Sequence, residues 1–348
     1  MTATAEHSAE PWATPAARLL LPADAPREQW LAARRLGLGG SDASTVAGIN
    51  PRNSRYALWL DKTARAREKE QTDAMEWGLR LEPAIAQWFT DVSGIPVRRA
   101  GLMQSIAHPF QQVSLDGMTA DGGIAEWKTT SWRTEDAEIW LDGDVPDHAE
   151  IQTQHGMAVT GRSHAHVAVL IDGRTPLRKV VERDDELIAV LTDLERDFWH
   201  AYVLADVEPP VDGSEATTKA LKQRYATAST EVVSAGRDVA ELREQLIAAK
   251  DDVKAAKARV DEIGNVLRAK CGAATDLAVM GEILVTLHQN GTFSESRFAV
   301  DHPDLVDEFT TAAPTFDLPR LKAERPDLYQ QYRARVLRTP KPKPAKGA

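Results

Sequence analysis

Residues 115–130, LDGMTADGGIAEWKTT, decide the fold, because two strand-like segments flank a tight turn there. The turn formers Asp121-Gly122-Gly123 separate a segment ending near Asp116 from a strand with alternating character. Side chains two positions apart on a strand point to the same face, so Glu126 and Lys128 share one face. Because the turn lays the two segments side by side, we expect Asp116 to lie close to both.

These three side chains together have the chemistry of a cation site. Two neighbouring carboxylates repel each other and resist joint ionisation, and a bound Mg²⁺ reverses that preference because hard divalent cations take oxygen ligands. The backbone carbonyl of Trp127 is a candidate further ligand. Lys128 is a candidate to orient or deprotonate an attacking water and to offset phosphate charge. An acid-x-lysine triplet also occurs by chance on strand pairs, so the neighbouring motifs carry much of the weight.

Length and composition limit the classes of protein that this chain can be. Its 348 residues, 43% of them hydrophobic, suffice for one large domain or two ordinary ones. No apolar run reaches the roughly 18 residues that span a bilayer, and the N-terminus lacks the pattern of a secretory signal. A single cysteine, Cys271, excludes a disulfide framework and a cysteine-built zinc site. We therefore expect a protein of the reducing cytoplasm.

The charge balance restricts how the chain could contact nucleic acid. Forty-two basic and fifty-two acidic residues give a formal net charge of −10. A protein that binds nucleic acid over its whole surface is usually basic. Any phosphate contacts must therefore be confined to a local patch.

Composition and periodicity divide the chain into five predicted segments. They are a flexible leader at 1–26, a domain with nearly all of the candidate chemistry at 27–210, a coiled-coil or helical arm at 211–275, a β-hairpin with a short helical segment at 276–330, and a basic disordered tail at 331–348. Within the second segment the pattern predicts helices at 27–35, 54–67, 74–93, 149–160 and 184–204, and strands at 97–103, 111–118, 123–130, 164–171 and 177–181.

The C-terminal segments carry weaker signals. From Tyr225 to Leu267 small or apolar residues follow a 4-3 alternation, typical of a coiled coil or helical hairpin, in which Gly236 and Gly264 could introduce bends. A protruding arm and a plain packing helix both fit this pattern. Asn290-Gly291 predicts a hairpin between 281–288 and 292–300. The basic end of the chain suits either a phosphate tether or a solubilising tail.

Four motifs in a fixed order resemble a known family. They are RRLGLGGSD at 34–42 followed by VAGINP at 46–51, WGLRLEP at 77–83, SLDG at 114–117 with EWK at 126–128, and VP at 145–146 followed by QTQH at 152–155. This order resembles the YqaJ-type viral recombinases, relatives of lambda exonuclease within the PD-(D/E)xK nuclease superfamily. The resemblance covers roughly residues 28–205. It implies an α/β (α+β) fold with a restriction-endonuclease-like core, in which helices flank a mixed central sheet.

The resemblance also implies roles for individual residues. Asp116 and Glu126 match the metal-binding carboxylates, Lys128 the catalytic lysine, and Glu82 the helix-borne acid that completes the metal site. Gln152 matches a glutamine expected to position the water or the DNA end. Leu115 stands where the motif's name has a proline, which this superfamily tolerates.

A phosphate pocket is implied as well. Arg35 and Ser41 match residues expected to bind a 5′-phosphate, and a guanidinium, a hydroxyl and backbone N–H groups suit that ligand. The Arg35-to-Ser41 spacing can differ by one residue from that of lambda exonuclease. Arg34 and Arg55 therefore stay as alternatives for the phosphate role.

The activity implied by the resemblance is that of a Mg²⁺-dependent exonuclease, with Mn²⁺ as a possible substitute metal. Such an enzyme resects double-stranded DNA ends 5′→3′ and leaves 3′ single strand for recombination and repair. The implied partners are a single-strand annealing protein and further copies of the chain in a ring-shaped trimer, with no membrane. If the chain is phage-encoded, its compartment is the cytoplasm of the bacterial host.

Three alternatives stay open from the sequence. An endonuclease or a 3′-end nuclease could use the same fold, because a metal site does not set polarity. A non-catalytic DNA-binding or assembly module could act through the helical arm. Such a module would have no chemical reason to keep Glu82, Asp116, Glu126 and Lys128 together. A zinc hydrolase could use His164 and His166 with His148 or His155, although core or surface histidines are favoured over zinc ligands here.

Overall fold

The computed structural model describes residues 10–66, 72–225, 234, 236–310, 316–333 and 336–338. The chain divides into two compact units, Met1–Ser229 and Thr230–Ala348. Each unit contains sheet and helices of its own. Among the described residues, no helix has the length and apolar character needed to cross a membrane.

The first unit begins with one strand and four helices, and its remaining strands follow those helices along the chain. Its strands are β1 (Ala17–Leu21), β2 (Val97–Arg98), β3 (Leu102–Ser105), β4 (Gln112–Ser114), β5 (Gly117–Thr119), β6 (Ile124–Thr130), β7 (His164–Ile171) and β8 (Thr175–Glu182). Its helices are α1 (Arg27–Arg34), α2 (Gly40–Val46), α3 (Arg55–Lys62), α4 (Asp73–Ser93), α5 (Glu135–Leu141), α6 (Asp147–Thr160), α7 (Asp185–Phe198) and α8 (Glu215–Arg224). A π-helical turn, Trp199–Leu204, continues α7.

The central sheet has five strands in the order β2-β5-β6-β7-β8. Strands β6 and β7 run parallel, from the pair Ile124↔Ala165 to the pair Thr130↔Ile171, and the other neighbours run antiparallel. A parallel pair needs a crossover connection, and α5 and α6 supply it. This mixed sheet flanked by helices confirms the predicted fold class. A smaller sheet, β1-β3-β4, belongs to the same unit.

The alternating residues of β6 face two different helices. Ile124 belongs to a buried cluster that includes Met157 of α6, whereas Trp127 packs against Phe89 of α4 on the opposite face. Side chains two apart share a face, so this packing places Glu126 on the side of α6. The order of apolar residues along one strand thus directs the acid towards the helix that carries Gln152.

Helix α4 begins and ends at residues that the sequence marks. The side chain of Thr72 accepts a hydrogen bond from the backbone N–H of Met75, which caps the first turn. Gly94 adopts the left-handed conformation, with φ of 69°, in which glycine avoids the Cβ clash. The predicted end of this helix at Gly94 is therefore confirmed.

Several local expectations are wrong. In the leader, predicted to be flexible from 1 to 26, residues 17–21 form β1, which pairs antiparallel with β3; residues 1–9 lie outside the described part. The strand predicted at 97–103 is divided between β2 and β3, in different sheets. Gly101 lies between the two strands, and a Cβ there would clash with the carbonyl oxygen of Leu21, so the chain passes β1 where glycine alone fits.

The second unit combines a long helix with a small sheet. Its elements are α9 (Arg237–Cys271), β9 (Asp276–Val279), β10 (Glu282–His288), α10 (Glu295–Asp301), α11 (Pro303–Val306), a 3-10 turn (Asp307–Phe309), α12 (Leu318–Glu324), α13 (Pro326–Gln331) and β11 (Val336–Arg338). Strand β10 lies between β11 and β9. A separate aromatic core around Phe293, Phe298 and Tyr332 packs the short helices.

The predicted hairpin at Asn290-Gly291 is wrong. Strand β10 turns back at Met280-Gly281 onto β9, and residues 295–301 form α10 instead of a strand. The side chain of Ser294 accepts a hydrogen bond from the N–H of Arg297 and so starts that helix. The expected disorder of the tail is wrong at 336–338, which pair with β10, while 334–335 and 339–348 lie outside the described residues.

The predicted heptad region is helical from Arg237 onward. Gly236 caps the start of α9, and Gly264 lies within the helix without ending it. Helix α8 ends at Arg224, and residues 226–233 and 235, which the predicted repeat includes, lie outside the described part. The described helix of 35 residues covers the remainder of the repeat.

Candidate active site

Asp116 lies between β4 and β5 and contacts the neighbouring strand β6. Its Oδ2 accepts a hydrogen bond of 2.7 Å from the backbone N–H of Trp127. Because the backbone of Trp127 lies between Glu126 and Lys128, this bond fixes Asp116 beside both. The turn at Asp121-Gly122-Gly123 thus has the effect that the sequence predicts.

Glu126, Lys128 and Gln152 form one hydrogen-bonded cluster. The ammonium of Lys128 lies 2.7 Å from Oε1 of Glu126 and 2.8 Å from Oε1 of Gln152. The amide of Gln152 donates in turn to the same Glu126 oxygen. Glu126 is 5% exposed, so these bonds satisfy a carboxylate that is shielded from water. Oε1 of Glu126 therefore accepts one hydrogen bond from the Lys128 ammonium and one from the neutral Gln152 amide.

Glu82 lies on α4, the helix that packs on the other face of β6, and the charge of this cluster still reaches it. Burial raises the pKa of Glu82, and the negative charge of Glu126 raises it further, against the opposing effect of Arg99 and Lys128. This electrostatic effect of Glu126 on Glu82 indicates that the two carboxyl groups lie in the same part of the molecule. The acid from α4 and the acid from β6 therefore lie at one site, although the sequence separates them by more than forty positions.

Asp116 carries the strongest sign of missing positive charge. Burial raises its pKa well above the usual value, and Glu126 and Glu82 add to that effect, while the N–H of Trp127 and the ammonium of Lys128 oppose it. Three carboxyl groups thus share the charge of Lys128, with Arg99 acting on Glu82 in addition, and negative charge stays in excess. Hard oxygen donors with unbalanced negative charge suit a divalent ion such as Mg²⁺. These residues therefore fit the implied metal.

The predicted metal ligands come together, but not as a tight trio. Among the described residues, three ligand atoms lie within 4.8 Å of one another at a different place, Asp121, His164 and His166. The oxygens of Glu82, Asp116 and Glu126 are therefore spread more widely, and an ion shared by all three requires a side chain to rotate or a water to bridge. The expectation that the Trp127 carbonyl ligates metal stays a prediction. Its indole is buried against Phe89, with ring centroids 5.3 Å apart, and is not free to stack on a base.

A second group of polar residues lies at the start of α2. A terminal nitrogen of Arg34 is 2.7 Å from the hydroxyl of Ser41 and 3.6 Å from the carboxylate of Asp42. Lys62 is fully buried, with its ammonium 2.7 Å from Asp42 and 3.0 Å from the carbonyl oxygen of Arg34. We call Arg34, Ser41, Asp42 and Lys62 the basic cradle.

The basic cradle is electrostatically complete without a ligand. Burial alone would raise the pKa of Asp42, but the charges of Lys62 and Arg34 outweigh it and hold that pKa well below its usual value. The backbone N–H of Gly39 also donates to Asp42, at 2.9 Å. Asp42 therefore anchors the two cations, and the partly exposed guanidinium of Arg34 stays available beside Ser41.

The candidate phosphate residues differ in their surroundings. Arg34 contacts Ser41, whereas the guanidinium of Arg55 donates to the carbonyl oxygen of Val46, at 2.7 Å. Arg35 forms the C-terminal cap of α1 and is half-buried. Of the three arginines proposed from the sequence, Arg34 is the one with a contact to Ser41.

We call Glu82, Asp116, Glu126, Lys128 and Gln152 the acidic cluster. The basic cradle adjoins the acidic cluster at Gly40. A Cβ at Gly40 would lie 2.9 Å from the side chain of Gln152 and 3.2 Å from its carbonyl oxygen. Glycine therefore allows the start of α2 to approach α6 at the residue that bonds Lys128. The two polar groups belong to one site and share Gln152 at their junction.

The histidines proposed for zinc do not meet in one place. His155 is buried and bonds Glu195 and the carbonyl oxygen of Gln112, each at 2.8 Å. His148 lies 3.9 Å from Asp136. His164 and His166, in contrast, both direct Nε2 to Asp121, at 3.2 and 2.8 Å. Asp121, His164 and His166 could hold a metal ion.

Sequence reasoning missed the parts of the site that depend on distant segments. Asp42 stands in a quoted motif, but nothing local marks it as the anchor for Lys62, twenty positions later. Arg99, which acts on Glu82, follows a short strand with no pattern of its own. The signal that could reveal Lys62 is a lysine on the apolar side of a helix, next to Trp59 and Leu58, where a charge requires a buried partner.

The chain is similar to known proteins over the region that contains these residues. The profile of the YqaJ-like viral recombinase domain matches residues 29–163. A protein of Bacillus subtilis (strain 168), named uncharacterized protein YqaJ, is 34% identical over 248 residues, which is 70% of this chain and 77% of that relative. The matched region includes all of the residues that form the acidic cluster and the basic cradle.

Solved structures with a similar course of the chain include two exonucleases. The alkaline exonuclease LHK-Exo from Laribacter hongkongensis is 26% identical, with a TM-score of 0.45, covering 52% of this chain and 94% of its own. A phage-related exonuclease from Haemophilus somnus 129PT is 11% identical, with a TM-score of 0.37, covering 51% of this chain and 99% of its own.

Proposed function

Because this chain belongs to the YqaJ-like viral recombinase family, we propose that it is a Mg²⁺-dependent deoxyribonuclease acting on linear duplex DNA. The observation that carries the proposal is the hydrogen-bonded cluster of Glu126, Lys128 and Gln152, with Asp116 fixed beside it. Its carboxylates, ammonium and amide are the groups that metal-assisted phosphodiester hydrolysis uses. Mn²⁺ is expected to substitute for Mg²⁺, because it also takes oxygen ligands.

Asp116, Glu126 and Glu82 would hold the metal, with the Trp127 carbonyl as a further candidate ligand. When bound, the ion would acidify a water and stabilise charge on the phosphate. The raised pKa values of Asp116 and Glu82 support this assignment, since both describe carboxyl groups that lack a cation. A metal would therefore bind most strongly where these groups are deprotonated.

Lys128 and Gln152 would act on the reacting atoms. The Lys128 ammonium would orient the attacking water and offset the phosphate charge, whereas the neutral amine form of Lys128 would accept the proton of that water. Gln152 bonds both Lys128 and Glu126 and would hold the two in register. Because it also packs against Gly40, Gln152 could transmit the position of a DNA end from the basic cradle to the cluster.

The polarity that we propose is 5′→3′. Its support is the basic cradle, in which Arg34 and Ser41 present a guanidinium and a hydroxyl suited to a 5′-phosphate. Arg35 and Arg55 stay as alternatives for this contact. The product would be 3′ single strand, for which a single-strand annealing protein is the proposed partner in recombination and repair. Assembly as a homo-oligomer and action in the host cytoplasm are part of the same proposal.

A digestion time course tests this function. Linear duplexes labelled at the 5′ or the 3′ end are incubated with the full chain, with Mg²⁺ or with a chelator. We expect Mg²⁺-dependent release of label from the 5′ end first, with the 3′-labelled strand left long. Release from the 3′ end first would reject the polarity, internal cuts in circular DNA would favour an endonuclease, and no digestion would favour a binding or assembly module.

A further inference from the structure

Helix α9 exposes an apolar stripe along its whole length. The stripe follows a heptad repeat, and its large members are 48–69% exposed: Val239, Leu242, Leu246, Val253, Val260 and Ile263. Ala249, Ala256 and Leu267 complete the 3-4 spacing. With 35 residues the helix is about 52 Å long, at about 1.5 Å for each residue. An exposed apolar surface of this extent is typical of an interface.

The charges beside the stripe select the orientation of a partner helix. We assign Val239, Leu246, Val253 and Val260 to heptad position a, so that Leu242, Ala249, Ala256 and Ile263 occupy position d. In a parallel coiled coil the residue just before each a position (position g) faces the partner residue five positions later (position e). Here Asp238 would face Arg243, and Asp252 would face Lys257, of a second copy, and each pair would occur twice. The remaining pairs, Gln245 with Lys250 and Arg259 with Gly264, join a charged to an uncharged residue.

An antiparallel pair would lack this complementarity. It brings the e positions of the two helices together, and these are Arg243, Lys250 and Lys257, all basic. Within the described residues Arg243 forms an ion pair with the exposed Glu244, an interaction of small energy at the surface. Charge therefore favours a parallel, in-register arrangement of two identical helices.

We propose that α9 is a dimerisation element, which pairs in parallel and in register with α9 of a second copy of this chain. Val239, Val253 and Val260 supply apolar a positions along the seam, and Ala249 and Ala256 at the d positions allow close approach of a second helix. The inference does not depend on nuclease activity. It assigns the occupant of the stripe, which the sequence pattern alone leaves open.

Site-specific crosslinking tests the orientation in the full chain. With Cys271 changed to Ala, V239C should form an intermolecular disulfide under mild oxidation, because parallel in-register helices bring equivalent positions within about 6 Å. An antiparallel pair would separate these residues by most of the helix. Ala258 is on the opposite face, so A258C is the matched control and should not crosslink. No V239C crosslink, or equal crosslinking of A258C, would overturn the proposal.

A charge swap tests the pairing itself. In the V239C background, D252K and K257D each create like-charge pairs and should reduce the crosslinked fraction severalfold at low salt. The double variant restores opposite charges and should recover the original fraction, because the coupling is between the two sites. If the single and double variants crosslink to the same extent, Asp252 and Lys257 do not pair between the helices, and the in-register arrangement is contradicted.

The first unit contains a second candidate site, formed by Asp121, His164 and His166. Nε2 of His164 and Nε2 of His166 both point to Oδ2 of Asp121, at 3.2 and 2.8 Å. Ligands of a tetrahedral Zn²⁺ at about 2.0–2.1 Å are about 3.3 Å apart, close to this spacing. The other ring nitrogen of His164 bonds the hydroxyl of Ser163, which orients the ring as an outer partner of a metal ligand does.

The surroundings of these three residues also suit a bound ion. Thr119 is fully buried, and its hydroxyl approaches Asp121 without a hydrogen bond of normal geometry. Gly123 keeps the space open, because a Cβ there would lie 2.6 Å from Nε2 of His164 and 2.8 Å from the Thr119 hydroxyl. Arg162 donates to the carbonyl oxygens of Thr119 and Gly123, at 3.1 and 2.7 Å, and so fixes the turn.

We infer that Asp121, His164 and His166 bind one divalent transition-metal ion of the Zn²⁺ type, which ties the β5–β6 turn to β7. Two imidazoles and one carboxylate are ligands that Zn²⁺ accepts, and Thr119 or water would complete the shell. Such an ion would rigidify the strands that carry Asp116 and Glu126 without touching the reacting groups.

Zn²⁺ competition with a chromophoric chelator tests this site in the full chain. We expect one tightly bound equivalent that is lost in H166N and retained in H200N, since His200 is an exposed histidine away from the cluster. Titration with Co²⁺ should give visible absorption bands in H200N and none in H166N. Equal binding by both variants, which would indicate the catalytic carboxylates as the site, or no binding by the parent chain, would overturn the proposal.

Discussion

Two aspartates, the half-buried Asp116 and the buried Asp42, lie in neighbouring parts of one site, and their neighbours shift their pKa values in opposite directions. Asp116 is surrounded by other acids, and its pKa is raised, whereas Asp42 is paired with two cations, and its pKa is lowered. The acidic cluster therefore carries more negative than positive charge, whereas the negative charge in the basic cradle is fully paired. The difference indicates that the first group requires a cation from solution, while the second is complete as folded and can present Arg34 to an anion.

The largest effect is expected from removing the lysine that the acids share. Lys128→Ala leaves Glu126 and Asp116 without their ammonium and the reaction without its charged donor, so DNA digestion should fall by about a thousandfold. Initial rates on end-labelled duplex measure this, with circular dichroism as the control for folding. Activity within about tenfold of the parent chain would remove Lys128 from the chemistry.

In the basic cradle, removal of a buried charge is expected to lower the free energy of unfolding, and the effect on stability is the one to measure. Lys62→Met leaves Asp42 with a single, partly exposed cation, and loss of one partner of a buried ion pair costs about 3–5 kcal/mol of unfolding free energy. Denaturant unfolding measures the change. The matched variant Asp42→Asn with Lys62→Met removes both charges and should recover part of the loss. If Lys62→Met were neutral, Asp42 would not depend on this pair.

The opposite response is expected at Asp116. Its raised pKa means that the native state holds a proton more firmly than the unfolded chain, so the carboxyl group contributes less to stability as pH rises through its native pKa. Asp116→Asn should therefore stabilise the metal-free protein at pH 8, and the gain should shrink towards pH 4. Unfolding in the presence of a chelator at both pH values checks the sign. A destabilised variant at pH 8 would contradict the account of unbalanced charge.

The smallest effect concerns the choice of DNA end. Arg34→Ala removes one guanidinium next to Ser41, and loss of a charged phosphate contact should reduce the preference for 5′-phosphorylated over 5′-hydroxyl ends by about tenfold. Digestion rates of the two substrates, with Arg55→Ala as the matched comparison, measure this preference. An unchanged preference in Arg34→Ala together with a loss in Arg55→Ala would move the phosphate role to Arg55.

The sequence predicts the acidic cluster better than the basic cradle for a physical reason. Glu126 and Lys128 share a face because strand geometry is local, and the Gly122-Gly123 turn returns the chain to Asp116 within a few residues. The cradle instead joins Arg34 to Lys62 through a helix pair whose packing no short pattern specifies. Arg35 was the residue expected beside Ser41, and one helical step, about 100°, separates it from Arg34.

Local signals also fail where tertiary contacts outweigh them. Asn290-Gly291 is a strong hairpin signal, but Ser294 begins a helix there, and the chain turns at Met280-Gly281 with Met280 at φ 53°. Nothing in the sequence selects methionine for that conformation. Residues 17–21 likewise carry no strong pattern, and they become a strand because β3 offers a free edge. In both places the partner strand, not the local composition, determines the structure.

Metal binding tests the central claim most directly, because the claim is that the acidic cluster holds a divalent ion. Free Mn²⁺ is counted by electron paramagnetic resonance in the presence of the parent chain and of Asp116→Asn, each in the His166→Asn background so that the histidine cluster does not contribute. We predict that the parent background binds Mn²⁺, more strongly as pH rises, and that Asp116→Asn abolishes this binding. Equal Mn²⁺ binding by both proteins would contradict the account.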